Sequence, residues 1–177
     1  LPVELWLAIL EQTSIIDAKH LWTVVRHVSR SFRTLAESAF ASSQLQGFAI
    51  SLSLPRRAPA SNALVWPGAI PQAQIVMSFD RTASNSVYAI FASQETIGKD
   101  AERQSLEYLK DSNVLPLERL LAAPAWVFFN TNHLTGVTLK IPERITWDKE
   151  RKVWIWEVEW KALISQFYQA KKLARRR

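Results

Sequence analysis

The spacing of the apolar residues in this 177-residue chain changes near residue 41. Before that point, Leu5, Trp6, Ile9 and Leu10 recur at intervals of one, three and four residues, which places them on one face of a helix. Beyond it, short apolar runs are bounded by prolines, glycines and charged turns, as is typical of strands. The change predicts an α+β fold, in which three short helices precede a mostly antiparallel β-sheet with packed helices.

The three helices are predicted from caps and from apolar spacing. Pro2 suits the first turn of a helix over residues 1–12, because its missing N–H would have no partner there. Asp17 is suited to cap a second helix with apolar residues at helical spacing, namely Leu21, Trp22, Val25 and Val28. A third helix is expected over residues 31–40. Helices this short are marginal alone, so they need one another and a further surface.

Residues 41–177 are predicted to form the sheet domain. Strands are expected over residues 47–54, 73–79, 87–92, 126–130, 134–141, 144–147 and 153–160. Helices are expected over residues 99–111 and 117–122 and in the segment after residue 160. Four of the eight prolines lie within a short stretch, at Pro55, Pro59, Pro67 and Pro71. They predict a surface loop over residues 55–72.

Basic residues are concentrated at the C-terminal end. The formal net charge is +6, and residues 1–159 carry equal numbers of acidic and basic groups. The excess belongs to residues 160–177, which carry basic side chains and no acid: Lys161, Lys171, Lys172, Arg175, Arg176 and Arg177. The last five form a candidate anion-binding site. A solvated helix end whose charge complements the helix dipole is the simpler interpretation.

No residue pattern indicates catalysis or a metal site. His20, His27 and His133 are the only histidines, and no third ligand stands at a suitable spacing. The chain lacks cysteine, which excludes disulfides and thiolate zinc sites. Glu157 and Glu159 share one strand face, but beside tryptophans they are expected to mark the solvent side. We therefore expect no catalytic residue, no metal and no cofactor.

The sequence contains no segment typical of membrane insertion or secretion. No apolar run approaches 18 residues, so we expect no membrane span. The absence of cysteine fits a reducing compartment and favours a cytoplasmic or nuclear location. The sequence begins at Leu1 rather than methionine, and we expect it to be a piece of a longer chain.

A motif with a specific order fills the first forty residues. It consists of Leu1-Pro2-x-Glu4-Leu5, then Ile9-Leu10, and then Val28-Ser29-Arg30-x-Phe32-Arg33 with Leu35. This pattern resembles the F-box, in which a Leu-Pro start, a Glu-Leu pair, an Ile-Leu pair and a Val-Cys-Arg step follow in this order. Ser29 replaces the frequent cysteine, and Phe32 replaces the frequent tryptophan. The stretch WTVVRHVSRSFRTLAE is similar to F-box proteins of filamentous fungi.

The resemblance implies that residues 1–40 form an F-box and that residues 41–177 form a substrate-recognition domain. F-boxes bind the Skp adaptor of a Skp–cullin–F-box ubiquitin ligase, so the chain would link an unidentified protein substrate to Skp and, through it, to cullin. The helices also carry more large apolar side chains than forty residues can bury. The expected Skp-binding residues are Leu1, Pro2, Leu5, Trp6, Ile9, Leu10, Leu21, Trp22, Val25, Val28 and Phe32.

Other interpretations stay open. The apolar side chains of the helices could pack against the sheet domain of the same chain. The chain could instead bind nucleic acid, with the basic helix on phosphates and a face of Trp154, Trp156 and Trp160 stacked on bases. We favour burial of that face in the core, since so much exposed tryptophan would form a sticky patch, and we do not expect nucleic acid as a partner. An F-box could also act outside any ligase.

Overall fold

The computed structural model describes eight segments of the chain. These are residues 2–12, 17–53, 56–57, 64–65, 74–97, 104–130, 136–141 and 144–174. Within them the protein has an α+β fold with six α-helices and a seven-stranded antiparallel sheet. The predicted α+β class and antiparallel sheet are therefore confirmed, whereas an F-box arrangement of the N-terminal helices stays a prediction. No α-helix in these segments has both the length and the apolar character that crossing a membrane requires.

The N-terminal helices follow one another closely. Helix α1 spans Val3–Glu11, with Pro2 in the N-cap position, and α2 spans Ala18–Thr23, with Asp17 in the N-cap position. Helix α3 spans Arg30–Ala39. Its N-cap is Ser29, whose Oγ accepts a hydrogen bond of 3.2 Å from the Phe32 N–H. Because this bond satisfies a donor that the first turn would leave free, it fixes where α3 begins.

The second helix is shorter than its apolar spacing predicts. Helix α2 ends at Thr23, and Val24 leaves the helical region with φ −123° and ψ −64°. A 3₁₀ turn, Val25–His27, follows before α3. Thr23, Val24 and Val25 are three consecutive β-branched residues, which crowd the preceding turn of a helix and lower its stability. The apolar spacing continues through this break, although the helix does not.

The remaining elements come after a π turn at Phe40–Gln44 and a 3₁₀ turn at Leu45–Gly47. The first strands are β1 (Phe48–Ser53), β2 (Arg56–Arg57), β3 (Leu64–Val65), β4 (Gln74–Thr82), β5 (Tyr88–Ser93), β6 (Thr96–Ile97) and β7 (Gln104–Ser105). Helices α4 (Leu106–Asp111) and α5 (Leu117–Leu121) follow. The last elements are β8 (Ala125–Phe129), β9 (Val137–Leu139), β10 (Ile145–Asp148), β11 (Val153–Glu159) and α6 (Trp160–Ala174).

The main sheet has the strand order β10-β11-β5-β4-β1-β8-β9, and every neighbouring pair is antiparallel. Ile50 is paired with Met77 on one side and with Val127 on the other, so the three buried side chains share one face. Helix α6 covers this face, and the Phe167 ring lies 5.2 Å from that of Phe48. The core therefore lies between the sheet and the helices.

Two sequence predictions for the middle of the chain need correction. Within the predicted loop at residues 55–72, β2 and β3 pair as a small antiparallel ribbon, and the rest of that loop lies outside the described residues. The helix predicted over residues 99–111 begins only at Leu106, because Gln104 and Ser105 pair with β6. The Ser105 Oγ accepts a hydrogen bond from the Tyr108 N–H at 3.1 Å and caps α4. Residues 98–103 lie outside the described residues.

The helices of residues 2–40 pack directly on the sheet domain through Trp22. Its ring lies 5.7 Å from that of Trp160, at the start of α6, and 4.8 Å from that of Phe40 at the end of the N-terminal part. The Trp22 Nε1–H donates a hydrogen bond of 3.2 Å to the Ser165 Oγ. The division into residues 1–40 and 41–177 stays a prediction, and the contacts around Trp22 join the two parts tightly.

Candidate protein-docking surface

Helix α1 is apolar around most of its circumference. Its nine residues include six large apolar side chains, namely Val3, Leu5, Trp6, Leu7, Ile9 and Leu10. A helix that is apolar all round is normally buried. Leu10 is, however, the only buried residue of this helix, and Val3, Leu5 and Ile9 are exposed by 60%, 49% and 52%. The chain's own sheet leaves much of this helix uncovered.

Two more exposed apolar side chains flank the 3₁₀ turn between α2 and α3. Val24 is 49% exposed and Val28 is 65% exposed. We call these two and the exposed side chains of α1 together the apolar ridge, consisting of Val3, Leu5, Ile9, Val24 and Val28. Single exposed apolar residues are ordinary, but several within a short segment of the chain make that segment a candidate interaction surface.

Other side chains connect the helices and the turn that carry the apolar ridge. The Trp6 ring of α1 meets the Phe32 ring of α3 edge to face at 5.2 Å. Ile9 and Val25 line a common open groove of about 380 Å³ between α1 on one side and α2 with the turn after it on the other. The predicted residues Pro2, Leu5, Trp6, Ile9, Val25, Val28 and Phe32 are all partly or fully accessible. The structure therefore brings Trp6 next to Phe32 and places Ile9 and Val25 around one groove.

Other residues of the predicted Skp-binding set do not reach the surface. Leu21 and Trp22 are 1% and 2% exposed and belong to the hydrophobic core, and Leu10 is also buried. They are part of the hydrophobic core and not of the apolar ridge. Leu1 lies outside the described residues.

Val3 and Val24 were missed by the sequence analysis. Val3 stands three residues before Trp6 and seven before Leu10, so the helical spacing that selects these two would also have selected Val3. Val24 falls at the break between α2 and the 3₁₀ turn, where helical spacing no longer gives the side-chain direction. The β-branched run Thr23-Val24-Val25 was the signal that could have revealed this break.

An ionic cluster fixes the helices next to the apolar ridge. Glu37 of α3 accepts hydrogen bonds from Arg26 at 2.7 Å and from Lys161 of α6 at 2.5 Å. Burial alone would raise the pKa of the Glu37 carboxyl, but the bonds to Lys161 and Arg26 hold this pKa below its ordinary value. The Arg26 guanidinium also lies 4.3 Å above the Trp22 ring. This cluster ties α3 and the 3₁₀ turn to α6.

The tryptophan face of the nucleic-acid interpretation is not accessible. Trp154, Trp156 and Trp160 are each exposed by 4% or less and lie in the core between sheet and helices. The expectation that this face is core is therefore confirmed, and it cannot stack on bases. Lys171 is half-buried, with its Nζ 5.1 Å above the Phe167 ring, and Lys172 is exposed. Arg175, Arg176 and Arg177 lie outside the described residues.

Histidines and acids do not gather into a metal site in the part of the chain that the structure describes. His20 lines the groove beside Ile9, and His27 is exposed at the end of the 3₁₀ turn. His133 lies outside the described residues. Neither of the described histidines has a neighbouring group of ligands that would point to metal chemistry.

Comparisons with known proteins return no relative of this chain. No protein-family model, no curated protein and no solved structure matches it. The resemblance of residues 1–40 to the F-box therefore rests on the sequence motif, and the geometry of the candidate site rests on this chain alone.

Proposed function

We propose that this chain is a non-catalytic adaptor whose N-terminal helices bind the Skp adaptor of a Skp–cullin–F-box ubiquitin ligase. Residues 41–177 would carry the surface that recognises a protein substrate. Ubiquitin transfer belongs to other subunits of such a ligase, so the role requires no catalytic residue in this chain. Binding to Skp would account for both the F-box-like motif and the exposed apolar side chains.

The exposure of the apolar ridge is the observation that carries the proposal. Val3, Leu5, Ile9, Val24 and Val28 each remain 49–65% exposed. Fully burying a large apolar side chain contributes about 1.5–3 kcal/mol, and a half-exposed one still has roughly half of that to gain. Burial of five such side chains against a partner would contribute several kcal/mol. Binding requires that this contribution exceed the free-energy cost of association. The half-buried Trp6 and Phe32 add aromatic anchors of the kind that interfaces favour.

The test is the binding of purified Skp to the intact chain and to a Leu5→Asp/Ile9→Asp variant, measured by isothermal titration calorimetry. We expect saturable one-to-one binding of the unmodified chain. The variant should bind at least about a hundredfold more weakly, because two carboxylates would be desolvated in an apolar interface. Unchanged binding of the variant would remove the apolar ridge as the interface.

A matched control places the same chemical change elsewhere. Val114 and Leu173 are 49% and 57% exposed and lie outside residues 1–40. A Val114→Asp/Leu173→Asp variant should bind Skp with the affinity of the unmodified chain. If this control lost binding as well, charge rather than location would be the cause. Recovery of Skp without cullin from source cells would favour a role outside the ligase.

A further inference from the structure

The main sheet is curled so that its two edges approach one another. Strands β9 and β10 lie at opposite ends of seven strands, and a flat sheet would separate them by about 29 Å, since neighbouring strands are about 4.8 Å apart. Only five residues connect Leu139 of β9 with Ile145 of β10. Such a link spans at most about 21 Å when fully extended. The edges therefore converge.

A cavity of about 580 Å³ lies where these edges converge. Helix α5 and the turn after it form one wall, through Leu120 and Ala123, while Leu139, Ile145 and Trp156 come from the two sides of the sheet. Protein interiors rarely leave voids larger than a few water molecules. Pockets for small molecules typically measure 300–1,000 Å³, so this one has the size of a ligand site rather than of a packing defect.

The lining defines the chemistry of an occupant. Of the twelve described residues that line it, ten are apolar, and the other two are Thr138 and Lys140 on the β9 side. Among the described residues, no acidic side chain lines the cavity and none forms an ion pair with Lys140. Lys140 is exposed, so it lies at the mouth rather than in the depth. An apolar body with an anionic end matches this distribution.

We infer that this cavity binds one small amphipathic molecule, an alkyl carboxylate whose chain enters between α5 and the converging sheet edges. The carboxylate stays at the mouth, where the Lys140 ammonium compensates its charge. The site is separate from the apolar ridge, and the inference does not depend on binding to Skp.

Isothermal titration calorimetry of the intact chain with decanoate tests the inference, with 1-decanol and decyltrimethylammonium as probes of the head group. We expect saturable one-to-one binding of decanoate, weaker binding of decanol and the weakest binding of the cation. Absence of saturable decanoate binding, or equal affinity for the cationic probe, would overturn the inference.

Two variants locate the binding. Ala123→Phe fills the cavity and should weaken decanoate binding at least tenfold. Lys140→Glu changes an exposed side chain, so the fold should tolerate it, and it should weaken decanoate binding about five- to tenfold with little effect on decanol. Lys149→Glu, an exposed lysine in the turn before β11, is the matched charge control and should leave decanoate binding unchanged.

Three outcomes of the same titrations would contradict the inference. If decanoate binding survives Ala123→Phe in a protein of native melting temperature, or is insensitive to Lys140→Glu, the cavity is not the site. If Leu5→Asp/Ile9→Asp abolishes it, the ligand binds on the apolar ridge instead.

Discussion

Glu37 occupies a position that periodicity could not have revealed. It lies on the third helix of the F-box-like region, yet its partner Lys161 comes from the last helix, 124 residues away. Its side chain is only 14% exposed, so the two cations replace much of the water that it lost. The residue therefore stabilises the contact between the N-terminal helices and the sheet domain.

Replacing Glu37 by Gln should destabilise the protein by about 1–2 kcal/mol, because it removes the charge from two hydrogen bonds and leaves Arg26 without its carboxylate. Urea unfolding followed by circular dichroism measures the change. Glu107→Gln is the matched control, since Glu107 pairs with Lys152 in a more exposed position. The control should cost less than about 0.5 kcal/mol. Equal costs would show that the Glu37 cluster contributes no more than a surface pair.

The lowered pKa of Glu37 predicts a specific pH dependence. A carboxyl whose pKa is lower in the folded than in the unfolded protein stabilises the fold at pH values above its ordinary pKa of 4.5. This contribution is lost as the pH falls through 4.5 towards the folded pKa. The difference in unfolding free energy between the unmodified chain and Glu37→Gln should therefore shrink from pH 7 to pH 3. A difference that stays constant over this range would contradict the assignment.

At the scale of single elements, the sequence predicted what depends on local contacts. The helix over residues 1–12 and the start of the third helix near Ser31 agree with α1 and α3 within about two residues. The second helix and the helix at 99–111 were predicted to be longer than they are. A run of β-branched residues ends the former, and pairing of β7 with β6 precedes the latter. The partner strand β6 lies before the segment predicted as helix, so the apolar spacing within that segment does not reveal the pairing.

Apolar side chains of the first two helices should differ sharply in their effect on stability. Leu5→Asp/Ile9→Asp changes exposed positions and should alter the unfolding free energy by less than about 1 kcal/mol. Leu21→Ala empties a buried position and should cost about 2–5 kcal/mol. Thermal and urea unfolding of the two variants makes this comparison. A large loss of stability in the double variant would mean that the apolar ridge serves the fold rather than a partner.

At the scale of the whole molecule, one continuous core connects the helices and the sheet. Leu21, Trp22, Phe40, Phe48 and Phe167 belong to a single cluster of buried residues. The α+β class could be predicted from the change in apolar spacing. The strand order could not, because it depends on which strands pair with each other. The burial of the tryptophan face was predicted from the cost of exposing it.

This continuous core predicts a single cooperative unfolding transition. Helix content followed by far-ultraviolet circular dichroism and tryptophan fluorescence, which reports on Trp22 and Trp160 among others, should give coincident curves in urea. An early loss of helix signal, before the fluorescence changes, would mean that residues 2–40 unfold independently. The contacts of Trp22 would then contribute less than their geometry suggests.

The central claim is that the exposed side chains of the N-terminal helices form a surface for Skp. Hydrogen–deuterium exchange of the intact chain, with and without purified Skp, maps that surface directly. The account predicts slower exchange in Val3–Glu11 and in residues 24–32 when Skp is bound, with the strands of the main sheet unaffected. Exchange that is the same with and without Skp in both segments would contradict it.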